Sequence, residues 1–156
     1  MDSIAEIGCG YGGQTLVSNT LNNYLNFTLF DLEDVNSLIK RYLNNFILNG
    51  SFTYITLNEF NGEKKFDLVV SNYAFSELPK ELQIKYIEKV LIHSDRGYLT
   101  MNSGLFEENL GNKLSLNEIK EYIPNLEIYT EEPMTGPNNY IIVWGIKGKL
   151  EKKLVE

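Results

Sequence analysis

Short apolar runs of strand length alternate with helix-period stretches along most of the chain. Ser3 to Ile7 reads as a strand that runs straight into Gly8, Gly10, Gly12 and Gly13, and a helix is expected from near Gln14. Asn26 to Phe30 is a second strand, ending at Asp31. The clearest helix follows, because Val35, Leu38, Ile39, Tyr42, Leu43 and Phe46 recur every three or four positions on one face; Asn49-Gly50 is expected to stop it. Phe52 to Leu57 and Phe66 to Ser71 predict the third and fourth strands. Leu78, Leu82, Tyr86, Ile87, Val90 and Leu91 mark another amphipathic helix, and Gly97 to Met101 a fifth strand. Ser115 and Glu118 have the spacing of a capping box opening a helix that runs to Ile123 before Pro124. Leu126 to Thr130 and Tyr140 to Gly145 are the last strands, with a Pro/Gly/Asn loop between them. Alternating strands and helices predict an α/β domain: a mostly parallel seven-stranded sheet with helices on both faces. The last two strands lack an intervening helix, so they are expected to form an antiparallel hairpin with one antiparallel strand at an edge.

The chain has 156 residues, 43% hydrophobic and 22% charged, which suits one folded domain spanning 1–156. No secretory signal or apolar run long enough for a membrane span is evident, so a cytoplasmic protein is expected. The net charge of −7 disfavours a phosphate-backbone partner, with Lys64-Lys65 and the Lys147 to Lys153 stretch as the only basic candidates. A single cysteine, Cys9, excludes an internal disulfide and a multi-cysteine metal site. Cys9 reads as a small space-filler, since no neighbouring cation is evident to activate it. The lone histidine, His93, is set aside as a catalyst. The helix starting near Pro79 should carry it about 18 Å, at 1.5 Å per residue, from the ligand edge of the sheet. Trp144 is expected to pack in the core.

Three constellations carry chemistry. Glu6-Ile7-Gly8-Cys9-Gly10-Tyr11-Gly12-Gly13 joins a strand to a helix, where the backbone must turn sharply and approach a ligand without a Cβ in the way. Gly8, Gly10 and Gly13 also satisfy the dinucleotide pattern, so a nicotinamide cofactor remains an alternative at this point. Asp31 lies about 20 residues past the glycines, the separation of an acid that accepts from ribose hydroxyls. Its alternative is a cap for the following helix. Asp67 to Pro79 places a polar and aromatic segment at the end of the fourth strand, beside the end of the first, where ligands bind in such sheets.

Together these residues resemble class I S-adenosylmethionine-dependent methyltransferases, which implies the Rossmann-like methyltransferase fold. Ser71-Asn72-Tyr73-Ala74-Phe75-Ser76-Glu77-Leu78, with Arg96-Gly97-Tyr98 and Pro137-Asn138-Asn139-Tyr140, more narrowly resembles the bacterial putative sugar O-methyltransferase family, from about Ile4 to Gly145. That family's helical segment before the first strand has no counterpart here, which implies a core without that cap. The resemblance implies S-adenosyl-L-methionine as cofactor and a small-molecule acceptor, a saccharide. Glu6 would contact the methionine part, and Gly8, Gly10 and Gly12 would admit its backbone. Cys9, Leu32, Ser71 and Asn72 would complete the contacts, while Asn58 or Glu59 would edge the adenine. Tyr11 would reach the methionine carboxylate or lie on the surface.

Glu77 is the expected general base, as the one carboxylate in the segment facing the donor; a helix N-terminal charge is its alternative. Tyr73, Asn72 and Asn102 are candidates for orienting the acceptor. No metal site is assigned, although Glu77 with Glu107-Glu108 or Glu131-Glu132 could supply oxygen ligands. A methyltransferase acting on another small molecule or a protein, an oxidoreductase fragment and an inactive cofactor-binding remnant stay open as alternatives.

Overall fold

The computed structural model describes residues 3–21, 26–103, 105 and 111–145. The Asn22-Asn23 turn, Glu107-Glu108 and the Lys147 to Lys153 stretch lie outside the described residues. In chain order the elements are β1 (Ser3–Ile7), α1 (Gly13–Leu21), β2 (Asn26–Phe30), α2 (Glu33–Leu43), β3 (Ser51–Ile55) and β4 (Leu68–Asn72). They continue with α3 (Ala74–Glu77), α4 (Lys80–Lys89), a 3-10 turn (Leu91–His93), β5 (Gly97–Met101), α5 (Leu116–Tyr122), β6 (Glu127–Thr130) and β7 (Tyr140–Trp144).

The strands form one seven-stranded sheet in the order β3-β2-β1-β4-β5-β7-β6. The first five are parallel, and β7 runs antiparallel to both β5 and β6. The expected hairpin is therefore present, but its antiparallel strand is not at the edge. β7 inserts between β5 and β6, and β6 forms the rim. Their compositions account for this. Tyr140-Ile141-Ile142-Val143-Trp144 is almost wholly buried, whereas Glu127-Ile128-Tyr129-Thr130 is mostly half-exposed. The more apolar strand takes the position with neighbours on both sides.

Two cores lie on opposite faces of the sheet. Ile4, Cys9, Phe27, Leu29, Ile39 and Leu43 pack on one face. The other carries Ala5, Ile7, Val69, Leu99 and Ile142 from the sheet, covered by Phe75, Ile87, Leu91 and Ile119. No helix joins β3 to β4. Instead Leu57 and Phe60 are buried in that connection, and Lys89 Nζ donates to both of their carbonyls.

Several boundaries move from their expected places for local reasons. α2 stops at Leu43 rather than running to Asn49-Gly50. The Asn45 side-chain amide donates to the Arg41 and Tyr42 carbonyls, occupying the acceptors that a further turn would use. Phe46 then falls beyond the helix, packed on Tyr42 at 5.1 Å between ring centres. β4 begins at Leu68 because Phe66 makes only a single bridge, to Ser94. The capping box at Ser115 and Glu118 is present as expected. Trp144 is buried, its indole N–H donating to the Ser94 carbonyl. His93 sits in the 3-10 turn where its carbonyl accepts from Phe66 N, at the end of the sheet away from Gly8.

Gly97 faces the Trp144 ring so closely that a Cβ there would lie 2.0 Å from it. Gly97→Ala is therefore expected to overpack this contact and to lower stability by about 1–3 kcal/mol. Urea denaturation measures this, and an unchanged midpoint would mean that the ring yields without cost.

Candidate functional site

The C-terminal ends of β1, β2 and β4 converge where the strand order reverses direction, between β1 and β4. The glycine loop fills this point. Gly8 has φ +73° and its N–H donates to the Phe30 carbonyl. A Cβ on Gly8 would lie 2.0 Å from that of Ala74, so only glycine lets β1 pass the start of α3. Gly12, at φ +93°, faces the side chains of α2. A Cβ there would meet Ile39 and Leu43, so this glycine admits those side chains. Gly10 faces open space.

Two cavities flank the loop. One, of about 370 Å³, is walled by Gly8, Asp31, Leu32, Asn58, Glu77 and Tyr86 with Ile7, Leu57, Leu78 and Leu82 among its apolar neighbours. The other, of about 430 Å³, is walled by Glu6, Gly8, Cys9, Gly10, Tyr11 and Asn72, among others. Gly8 belongs to both. The structure thus gathers most of the candidate ligand residues at one place, in two groups.

Asp31 is not the cap of α2. Leu32 occupies that position without a side-chain cap bond, and its side chain is exposed at the cavity rim. One Asp31 oxygen accepts from Cys9 N at 2.7 Å and the other from Leu32 N at 2.8 Å. Each carboxylate oxygen can accept a further hydrogen bond, so the acid ties the glycine loop to β2 while keeping acceptor capacity toward the cavity. Glu6 is 5% exposed and receives the Thr15 hydroxyl from α1. Burial raises its carboxyl to about 7, opposed by the Thr15 bond and reinforced by the charge of Asp31. Cys9 is buried, and burial followed by the charges of Glu6 and Asp31 pushes its thiol far up, so it is an inert packing residue. Tyr11 is 59% exposed and packs edge-on against Tyr42.

Other expected site residues are placed elsewhere. Glu59 does not face the cavity: its carboxylate accepts from the Thr56 backbone N–H and hydroxyl, which hold its carboxyl below the usual range. Ser71 is fully buried. Its hydroxyl donates to the Ile7 carbonyl and accepts from Phe75 N, locking β4 to β1. Tyr73 lies outside both cavities. It adopts φ 64°, a strained value for a side-chain-bearing residue, and its phenol donates to Glu131 and also bonds the Thr135 hydroxyl. Glu131 accepts further bonds from Thr135 and Asn139, and these partners, Tyr73 first, hold its carboxyl down at about 2.

Asn72, beside Tyr73, does reach the loop cavity, and its side-chain oxygen accepts from Thr100. Glu77 is exposed on the wall of the Asp31 cavity. Asn102 donates to one of its oxygens at 3.0 Å and is itself held by Ser76. Among the described residues no cluster of three or more His, Cys, Asp or Glu could hold a metal, and no helix is long and apolar enough to cross a membrane.

The periodicity did not mark Thr15 or Tyr86 as site residues, and the sequence offers Glu131 only as a candidate oxygen ligand, not as the partner of Tyr73. Thr15 and Tyr86 sit within helical stretches, and Glu131 becomes relevant only when β7 brings its loop against β4.

No protein-family model matches the chain, and no curated protein matches its sequence. Solved structures match its fold. TehB from Haemophilus influenzae superposes with a TM-score of 0.64 at 19% identity, covering 90% of this chain and 56% of TehB. The plantazolicin methyltransferase BpumL, in complex with SAH, gives 0.59 at 16% identity over 92% of this chain and 74% of its own. The mitomycin 7-O-methyltransferase MmcR gives 0.64 at 14% identity over 91% and 48%. The chain thus spans little more than half of TehB and about half of MmcR. At these identities the likeness is one of fold: the sheet is the Rossmann-like methyltransferase sheet, with β7 inserted antiparallel.

The Glu6 environment generates a pH dependence. Its folded value of about 7 lies above the 4.5 of an ordinary glutamate, so the folded protein holds a proton that the unfolded chain releases first. That contribution is complete below pH 4.5 and is lost as pH rises through about 7. From pH 5 to 8 the loss should be about 2–3 kcal/mol. Glu6→Gln should remove this slope, so urea stability of the variant relative to wild type should rise between pH 5 and 8. Parallel pH profiles would show that Glu6 is ionised throughout.

Proposed function

We propose that this chain is an S-adenosylmethionine-dependent O-methyltransferase acting on a small molecule, with a saccharide hydroxyl as the acceptor. The observation that carries this reading is that Gly8 belongs to the walls of both cavities. An elongated ligand crossing Gly8 would place a nucleoside against Asp31 and an amino-acid portion against Glu6, Gly10 and Tyr11. The donor set fits such a group. Asp31 has acceptor capacity for ribose hydroxyls, Asn58 and Leu32 edge an apolar slot for a flat base, and Glu6 can accept from an ammonium group. The methyltransferases BpumL and MmcR share this fold, and BpumL is in complex with SAH. When bound, the cofactor supplies a methyl group already activated on a cationic sulfur.

The protein's task is then alignment and proton removal. Asn72 belongs to the loop cavity and Glu77 to the Asp31 cavity, and both cavities include Gly8. The acceptor would stand where the two meet, with Asn72 orienting it. Glu77 is the proposed general base. Asn102 fixes one of its oxygens, and the other has no partner among the described residues, leaving it free to take the acceptor's proton. Tyr73 acts less directly, by holding the turn between Asn72 and Ala74 through its bond to Glu131. The saccharide assignment is supported by the sequence resemblance of Ser71 to Leu78, and the acidic chain is suited to an uncharged acceptor. The nicotinamide alternative is disfavoured by topology, since the dinucleotide-binding sheet runs 3-2-1-4-5-6 without an inserted antiparallel strand.

Calorimetry with S-adenosylhomocysteine should show binding, and Asp31→Ala should weaken it by about 1.5–3 kcal/mol. Tight NAD binding with no heat from S-adenosylhomocysteine would overturn the proposal. On an acceptor identified from a sugar panel by methyl transfer, Glu77→Gln should lower turnover about 10²–10⁴-fold. Cofactor affinity should stay within about threefold, under about 1 kcal/mol. Full activity in Glu77→Gln would assign the base to another group.

A further inference from the structure

Tyr86 sits on α4 with its side chain 7% exposed, and it forms part of the wall of the Asp31 cavity. Its ring meets Phe30 edge-on at 6.1 Å, so packing fixes its direction. The hydroxyl has no hydrogen-bond partner among the described residues. It is not sealed away either: Asn36 Oδ1 is the only fully enclosed side-chain polar atom without a partner among them. Tyr86 also lines the Asp31 cavity, which places its phenol at the wall where a ligand would lie. A buried hydroxyl without a partner pays for desolvation and gains nothing in the free protein, so it acquires a use only when a ligand reaches it.

The surroundings define that ligand. Asp31 shares the cavity wall and is close enough for its charge, after burial, to push the phenol's ionisation upward. Tyr86 therefore stays a neutral O–H donor over the whole physiological range. An ionised carboxylate only accepts, whereas a hydroxyl both donates and accepts. A vicinal diol that gives its two protons to Asp31 still has oxygen lone pairs in need of a donor. Leu57, Leu78 and Leu82 make the neighbouring wall apolar, suited to a ring attached to that diol.

We propose that Tyr86 is a specificity-determining residue that donates its O–H to a ribose hydroxyl held by Asp31, so that the cavity selects a nucleoside with an intact diol. The inference rests on the cofactor reading above and names a residue beyond it.

The test uses the full chain, wild type and Tyr86→Phe, with calorimetry on S-adenosylhomocysteine, adenosine and 2′,3′-dideoxyadenosine. Tyr86→Phe should weaken the first two about three- to tenfold, the span of one neutral hydrogen bond. It should leave dideoxyadenosine binding unchanged, and the urea midpoint should stay equal or rise because no internal bond is lost. Unchanged adenosine and S-adenosylhomocysteine affinity would overturn the Tyr86 assignment while leaving the cofactor reading intact. Equal weakening for all three ligands, or a lowered urea midpoint with it, would give Tyr86 a packing role and also overturn it. Wild-type protein that binds none of the three would overturn both.

Discussion

Between Gly8 and Ala74 there is no space for a β-carbon, since one built on Gly8 would stand 2.0 Å from the other. That closeness sets the site. It brings the end of β1 against the start of α3, so the loop after β1 and the turn after β4 share one surface. Three bonds hold the approach: Gly8 N–H to Phe30 O, Cys9 N–H to an Asp31 oxygen, and the Ser71 hydroxyl to Ile7 O. The first two tie β1 and its loop to the end of β2 and the third ties β1 to β4, so the loop's path is set from both sides. Gly8 lines both cavities.

The electrostatics of this surface are one-sided. Asp31 lies near enough to Glu6 for its charge, after burial, to help raise the Glu6 carboxyl. Their bonding partners are neutral: the Thr15 hydroxyl for Glu6, and the Cys9 and Leu32 backbone amides for Asp31. The buried Glu6 is left to hold its proton near neutral pH. A site with this character favours ligands that bring hydrogen-bond donors or positive charge.

A second cluster stabilises the far side of the turn. Tyr73 occupies φ 64°, and its phenol is tied to Glu131 at the end of β6, with Thr135 and Asn139 from the connection to β7. A strained backbone persists where surrounding bonds over-determine it. Here the side chain that leaves the cavity region serves to place its neighbours, Asn72 and Ala74, which face it. The pairing of β7 with β5 sets Tyr140 beside Met101, which brings the β6–β7 connection to the same end of the sheet as the turn after β4.

The strand and helix periods were legible in the sequence because each is a local property. Burial of alternate or every third and fourth residue leaves a pattern in the chain itself, as in Val35 to Leu43. The glycine loop and Asp31 were legible for the same reason: a strand, a sharp turn and an acid at a set distance are consecutive features. Tertiary structure decided the rest. Which hairpin strand joins the sheet interior depended on the relative burial of β6 and β7, a comparison no single segment contains. Glu59 and Ser71 had suitable side chains in suitable places, yet Thr56 and the Ile7 carbonyl engaged them first. The packing role of Gly12 against Ile39 and Leu43 of α2 was hidden because those side chains arrive there only in the folded chain. Tyr86 read as one more residue on an apolar helix face. Only the packed sheet, which puts Tyr86 and Asp31 on one cavity wall, left its hydroxyl without a partner among the described residues. Residue type and spacing carry the backbone's local preferences, whereas hydrogen-bond partners are assigned by competition among groups that meet only on folding.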